Sequence, residues 1–372
     1  MLAPETYEEA AAALRDAAAE GRRVRVRGSG TRLGWGAPAA EPEVELTTAR
    51  LDAIVEHNTG DLTAVVEAGV TLARLRDGLA AKGQMLALDP PGEGTVGGLF
   101  ATGDSGPLRH RYGAPRDLVL GITVALSDGT IARAGGKVIK NVAGYDLAKL
   151  FTGSFGTLGA ILEVAVRLHP LPARTASAAA LGDPDSAARA AAQLAHAQLE
   201  AQCLDVVWTG AQAHVLARFG GIEAAAQAAA ASQLMGGAGL HAYEVEDEDG
   251  LWANARARQR SEDSIVVRVS GTQTRIADQL AAASRAKATL VGRVAHGLAW
   301  IALPADRPEA VEELRRELAP SPCVVLDAPA ETRSGLDVWG VAESPALELM
   351  RRVKRRFDPA GACAPGAFVG GI

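Results

Sequence analysis

The spacing of apolar positions changes along the chain. At Tyr7, Ala10, Ala11, Leu14 and Ala18 they recur at helical spacing. They follow Thr6-Tyr7-Glu8-Glu9, in which Thr6 and Glu9 stand at the N-cap and N3 positions of a capping box. Gly21 supplies the stop. Residues 22–27 then alternate Arg with Val at period two, which predicts a strand with its arginines on a solvated face. Residues 43–46, 64–67 and 122–126 predict further strands. Thr71 caps a helix bearing Leu72, Leu75 and Leu79, and Gly83 ends it. This alternation of helix and strand reads as α/β or α+β.

Residues 89–117 break the pattern. Seven glycines, at 92, 94, 97, 98, 103, 106 and 113, fall there with four prolines. A loop this long inside a compact domain is usually functional. Val96, Leu99, Phe100, Leu108 and Tyr112 are buried-type residues within it and argue for order. After a second apolar run at 161–168, His169-Pro170-Leu171-Pro172 marks a boundary. From 173 to 344, Ala-rich helical stretches (185–200, 222–235, 274–287, 306–318) alternate with short strands (204–209, 213–219, 264–270, 290–302, 323–327). That pattern suits a sheet covered on one side by helices. A last helix is predicted from Pro345 to Phe357, ended by Asp358-Pro359.

Composition narrows the class. The chain has 372 residues, 48% of them hydrophobic, and a formal charge of -6. Its length suggests two domains and a sizeable core. The mild acidity argues against broad nucleic-acid binding, which needs a basic face. Cys203, Cys323 and Cys363 are scattered and form no CxxC pair, so the chain has no four-thiolate ligand set for zinc or iron–sulfur. The expected compartment is the reducing cytoplasm. With no long apolar run, direct membrane insertion is not expected.

The glycines carry the candidate chemistry. Arg27-Gly28-Ser29-Gly30-Thr31 follows a strand, and glycines there let N–H groups converge on a phosphate. The stretch from Pro90 to Gly103, including Thr95-Val96-Gly97-Gly98-Leu99-Phe100-Ala101-Thr102, offers a second set of small residues. Residues 153–159, before Ala160 and Ile161, offer a third. Gly28-x-Gly30-x-x-Leu33 lacks the third Rossmann glycine, and no Gly-Lys-Ser/Thr makes a Walker loop. Three such loops suit a large diphosphate-bearing cofactor; a tight turn remains the bland reading of each alone.

The order of these motifs resembles the FAD-binding fold of the vanillyl-alcohol oxidase / p-cresol methylhydroxylase type. The matching pieces are Arg27-Gly28-x-Gly30-Thr31, Val66-Glu67-Ala68-Gly69-Val70, Thr95-Val96-Gly97-Gly98, Gly144-Tyr145-Asp146-Leu147 and Gly153-Ser154-x-Gly156-Thr157-Leu158-Gly159. Residues 140–146 and Gly103-x-x-Gly106-Pro107 resemble, more finely, the FAD-binding subunits of bacterial glycolate oxidases. The resemblance is strong over residues 1–172 and weak over 173–344. It implies an α+β architecture: an FAD-binding domain at 1–172 made of two α+β subdomains, a cap or substrate-like domain with an antiparallel sheet at 173–344, and a segment at 345–372 returning to the first domain.

It also implies site residues. Arg27, Gly28, Ser29, Gly30 and Thr31 would bind the FAD pyrophosphate. Pro90, Thr95, Val96, Gly97, Gly98, Ala101, Thr102, Gly103 and Gly106 would run along the flavin side. Gly156, Gly159 and Ile161 would meet the ribityl or ring region, and Gly144, Tyr145 and Asp146 would support the cofactor loop. Covalent members often have His where Thr31 stands, so the FAD is expected to be non-covalent. Ala364 and Ala367 replace an Asn and an Arg of the family's closing segment. No metal is expected, because His57, His110, His169, His196, His214, His241 and His296 are isolated from one another.

The function implied is that of the FAD-binding subunit of a multi-subunit glycolate (D-2-hydroxy-acid) oxidase or dehydrogenase acting on CH–OH. Its partners would be a second flavin subunit and an iron–sulfur subunit, through which any contact with the inner membrane would run. The alternatives are a non-catalytic assembly subunit and a stand-alone flavin dehydrogenase for another substrate. Two cations are candidates for a substrate carboxylate: Arg109, in the long glycine stretch, and Arg268, on the face of a strand shared with Val266 and Ser270. Arg256, Arg258 and Arg260 read as a solvated helix face, and 244–249 as an exposed acidic loop.

Overall fold

The computed structural model describes residues 1–137 and 145–372. Helix Tyr7–Ala19 begins as expected, with the Thr6 hydroxyl accepting from the Glu9 N–H. Only half of the capping box forms, because the Glu9 carboxylate accepts from the Glu5 N–H instead. The helix buries Ala10, Ala11, Leu14 and Ala17. They pack with Val24, Val44 and Leu46 of a parallel pair of strands, Val24–Arg27 and Val44–Thr47. The arginines of the first strand are paired across it: Arg25 with Glu45 at 2.6 Å and Arg27 with Glu45 at 3.5 Å.

Beside this pair stands an antiparallel sheet of five strands. Its order is Ile54–Asn58, Thr63–Glu67, Ala160–Arg167, Val119–Ala125 and Ile131–Gly135. The glycine-rich stretch is not one loop. Thr95 accepts from the Gly98 N–H and so starts a helix, Val96–Thr102, that ends at Gly103 with φ 66°. Short helices Arg109–Tyr112 and Pro115–Leu118 follow. Two adjacent glycines oppose a helix on propensity alone. Here they are required by packing: a Cβ on Gly97 would overlap Ala68, so only glycine lets this helix lie so close to the strand Thr63–Glu67.

The second half builds an antiparallel sheet of eight strands, ordered His241–Tyr243, Thr175–Gly182, Ala213–Gly220, Cys203–Trp208, Thr289–Arg293, Leu298–Pro304, Ser264–Ser270 and Cys323–Asp327. The strands at 175–182 and 241–243 have no counterpart in the sequence reading, because Ala-rich and short segments carry little alternation. The single strand expected at 290–302 is a hairpin, turned at Gly297 with φ 62°. Helices Pro184–His196, Ala224–Gly237, Ile276–Arg285 and Ala310–Glu317 cover one face with alanine, leucine and valine. The acidic run is not all loop: Asp247 caps helix Glu248–Ala257, whose Trp252 is buried.

The other face of this sheet is apolar too. Val266, Trp300, Leu298 and Leu326 pack there with Trp35, Leu108 and Phe155 of the first half. Helix Pro345–Phe357 returns the chain to the first domain. The buried Lys354 ammonium donates to the carbonyls of Thr157 and Cys363, both at 2.7 Å, and to Asp358 at 2.6 Å. That three-acceptor site compensates the cost of burying the charge.

Candidate functional site

A cleft opens between the glycine loops. Arg27, Gly28, Ser29, Gly30 and Thr31 line one side. Thr95, Gly97, Gly98, Ala101 and Thr102 line a second, and Gly156, Gly159 and Ile161 a third. Segments far apart in sequence thus meet at one place. They meet closely: a Cβ on Gly28 would overlap the Thr95 hydroxyl.

Among the described residues, the backbone N–H groups of residues 29–32 donate to no other protein group. Gly30 has φ 80°, which turns this segment into a nest of converging donors. With Arg25 and Arg27 beside it, the nest suits a pyrophosphate. Small residues along 97–102 and 156–161 leave a flat slot for a ring system. These features fit FAD. Among the described residues, those lining the cleft include no His or Cys.

Other expected residues lie elsewhere. Val96 is fully buried in the core of the first domain, on the side of its helix away from the cleft. Pro90 is buried outside the cleft lining. Gly103 is the left-handed cap of its helix. Gly106 sits so close to Asp89 that any Cβ would collide with the Asp89 carbonyl, and its own carbonyl accepts from Arg293 at 2.9 Å. Tyr145 is 90% exposed. Asp146 caps helix Leu147–Phe151 by accepting from the Lys149 N–H. Gly144 lies outside the described residues.

Several cleft residues were not among the expected cofactor contacts. Arg25, Thr48, Ala68, Phe155, Ala364 and Ala367 line it, although Ala68, Ala364 and Ala367 stand in segments that carried the family resemblance. The two alanines do so because the C-terminal segment is bonded to the strand Val24–Arg27, with the Ala364 N–H donating to the Val24 carbonyl at 2.8 Å. Arg32 is also missed. Its guanidinium is buried, pairs with Asp104 at 2.8 Å and donates to the carbonyls of Pro91 and Glu93. One side chain so ties the first glycine-rich segment to the second at three points. Burial pushes the Asp104 carboxyl up, and Arg32 pulls it back down. An arginine after a glycine nest is the signal that could have found it.

On the cap side, Arg109 and Arg268 come together. Burial lowers the pKa of each, and their mutual repulsion lowers that of Arg109 further. The Arg268 Nε is shut off from solvent without a hydrogen-bond partner. Asp104 is the carboxylate that offsets Arg268, and Arg32 already holds it. The interface nearby is polar and ordered. Arg293, fully buried, stacks 4.4 Å from the Trp300 ring and donates to Gln259, which in turn donates to the Ser105 carbonyl at 3.0 Å. Of the expected solvated face, Arg258 is exposed, but Arg260 is a correction: it lies in this interface, bonded to Asp327. No group of three His, Cys, Asp or Glu placed to hold a metal ion exists among the described residues. No helix among them is long and apolar enough to cross a membrane.

Comparison with known proteins supports the cofactor. Residues 1–135 match the family described as FAD binding domain. The chain is 29% identical, over 99% of its length and 90% of the relative's, to an uncharacterized FAD-linked oxidoreductase of Mycobacterium tuberculosis. Two matches are local. Glycolate oxidase subunit GlcE of Escherichia coli is 36% identical over 41% of this chain and 42% of that subunit. Glycolate oxidase subunit GlcD of Bacillus subtilis is 40% identical over 39% of this chain and 32% of that subunit. Alkyldihydroxyacetonephosphate synthase superposes with a TM-score of 0.71 at 15% identity, over 98% of this chain and 76% of that one. That likeness establishes the vanillyl-alcohol oxidase-type fold, as the two α+β halves required. Residues 1–135 are thus similar to an FAD binding domain, and FAD is the cofactor.

Proposed function

We propose that this protein is the FAD subunit of an oxidoreductase for small 2-hydroxy acids of the glycolate class, working with partner subunits. The observation that carries the substrate class is the half-buried pair Arg109 and Arg268. Two neighbouring buried guanidinium groups, offset among the described residues by Asp117 and by an Asp104 that Arg32 already holds, suit a further anion. A substrate carboxylate between them would be held in the fork geometry that arginine favours. The apolar wall of Leu108, Phe155 and Trp300 would exclude water there.

FAD, when bound, supplies the hydride acceptor for oxidation of the CH–OH carbon. The chain's own residues bind and orient. The 29–32 nest would hold the phosphates and the slot along 97–102 the ring, and the arginine pair would fix the acid. The local likeness to a protein named as a glycolate oxidase subunit supports work within a complex. A second flavin subunit and an iron–sulfur subunit are the partners this reading assigns, and the attachment is non-covalent.

The test is anaerobic reduction. The FAD-loaded chain is mixed with glycolate or D-lactate, alone and as the complex purified from its source, and flavin absorbance is followed. Bleaching by a 2-hydroxy acid, lost in Arg268→Gln, is the result expected. A complex that turns over glycolate while the flavin of this chain stays oxidised would make it an assembly subunit and overturn the proposal.

A further inference from the structure

The loop that lines the cleft is held from outside by the cap. Trp35 lines the cleft, and its indole N–H donates to Asp327 Oδ1 at 2.9 Å. Asp327 Oδ2 accepts from Arg260 Nε at 2.6 Å and from the Ser261 N–H at 3.4 Å. The Arg260 guanidinium lies 5.0 Å over the Trp35 ring and reaches the Thr31 carbonyl at 3.4 Å. Arg333 donates to the carbonyls of both Leu326 and Gly36. Three cap side chains therefore grip residues 31–36, the segment that includes the end of the phosphate nest.

The grip is built by a bulge. Along the edge strand Cys323–Asp327, Val267 opposes Val325 but Val266 opposes Asp327, so one residue is extra. Val325 points to the helix-covered face and Leu326 to the face against the first domain. Strict alternation would send Asp327 back under the helices. The bulge re-aims it towards Trp35. A carboxylate with 12% of its side chain exposed, facing one guanidinium and one indole, is a well-satisfied contact. It is also a local one: it ties a single loop, and opening it exposes only that loop.

We propose that Asp327, with Arg260 and Arg333, is a latch on residues 31–36 that sets the rate at which FAD enters and leaves. These are positioning residues: they act on the cofactor through Trp35 and the loop carbonyls. The latch rests on the FAD site alone and is indifferent to the substrate. With it closed, the indole and the loop stay against the cleft, and exchange waits for a transient opening.

The experiment loads the full chain with FAD and follows the return of free-flavin fluorescence after dilution. Thermal unfolding of the FAD-free chain is measured beside it. Asp327→Ala is expected to release FAD at least about tenfold faster and to take it up faster as well. Asp327→Asn keeps an acceptor for the indole and loses the charge opposite Arg260, so its rate falls between. Trp35→Phe and Arg333→Ala each remove one tie and speed release about three- to fivefold, which keeps the test open if Asp327→Ala does not fold. Release rates within twofold of the parent in all variants would overturn the proposal. So would a lowered unfolding temperature of the FAD-free variants with release unchanged, which is the mark of a merely structural contact.

Discussion

The cleft and the interface beside it are made of different material. The cleft is lined by backbone: free N–H groups at 29–32, glycines at 28, 97, 98, 156 and 159, and small side chains at 101 and 102. The interface with the second half, outside that lining, is side chain: Arg109 near Arg268, Arg293 bonded to the Gly106 carbonyl, and Arg260 bonded to Asp327, which also holds Trp35. Backbone donors recognise a pyrophosphate whatever the neighbouring sequence, because every residue brings the same N–H. Charged side chains recognise one anion in one place and cost stability until it arrives. The cleft is thus suited to a resident cofactor, and the interface cations are where the proposed function places an acid.

This contrast can be broken most severely at Arg32, the buried side chain that ties the first two glycine segments together. Asp104→Ala leaves its guanidinium buried and unpaired, and chemical denaturation should show a loss of about 4 kcal/mol. A loss under about 1 kcal/mol would mean that the glycine segments hold themselves. Arg268→Gln tests the interface. It should weaken binding of a 2-hydroxy acid about 100-fold, or about 2.7 kcal/mol, by flavin difference spectra. It should leave the unfolding free energy unchanged or slightly higher, because an unpaired cation is removed. An equal loss of both would make Arg268 a structural residue.

Smaller effects sharpen the picture. Burial holds the His110 pKa down to about 4 from an ordinary 6.5, with His296 and Arg111 adding repulsion. A depressed histidine stabilises the fold above the unfolded value and loses that contribution as the pH falls towards 4. Denaturation at pH 7 and pH 4.5 should therefore show His110→Asn losing about 2 kcal/mol less than the parent across that window. Thr95→Ala removes the cap of the helix Val96–Thr102 and should cost about 1 kcal/mol, with a small drop in FAD affinity.

The same contrast explains what was legible. Glycine clusters, Thr95 and the helix caps are local signals, and the sequence order Arg27-Gly28-x-Gly30-Thr31 then Thr95-Val96-Gly97-Gly98 was enough to place two sides of the cleft. Gly103 and Gly106 share that signal, yet one caps a helix and the other packs on Asp89 beneath an arginine of the cap. Glycine marks close approach, and sequence does not say to what. Arg268 was legible as a residue on the same strand face as Val266. Its meeting with Arg109 was not, because the two are brought together only by docking of the halves. Arg260 was misread as solvated for the same reason: its partners, Trp35 and Asp327, lie in other segments. The eight-stranded sheet lost its Ala-rich strand because alanine favours helix and is depleted in strands, so its run at 175–182 carries no strand signal.

The central claim is that this cleft holds one FAD through backbone and packing, without a covalent bond. It is tested most directly by loading the purified chain with FAD, removing the excess and denaturing in acid. The account predicts a yellow protein with one flavin per chain, all of which stays in solution as intact FAD when the protein precipitates. A chain that takes up no flavin, or a precipitate that keeps its yellow colour, would contradict it.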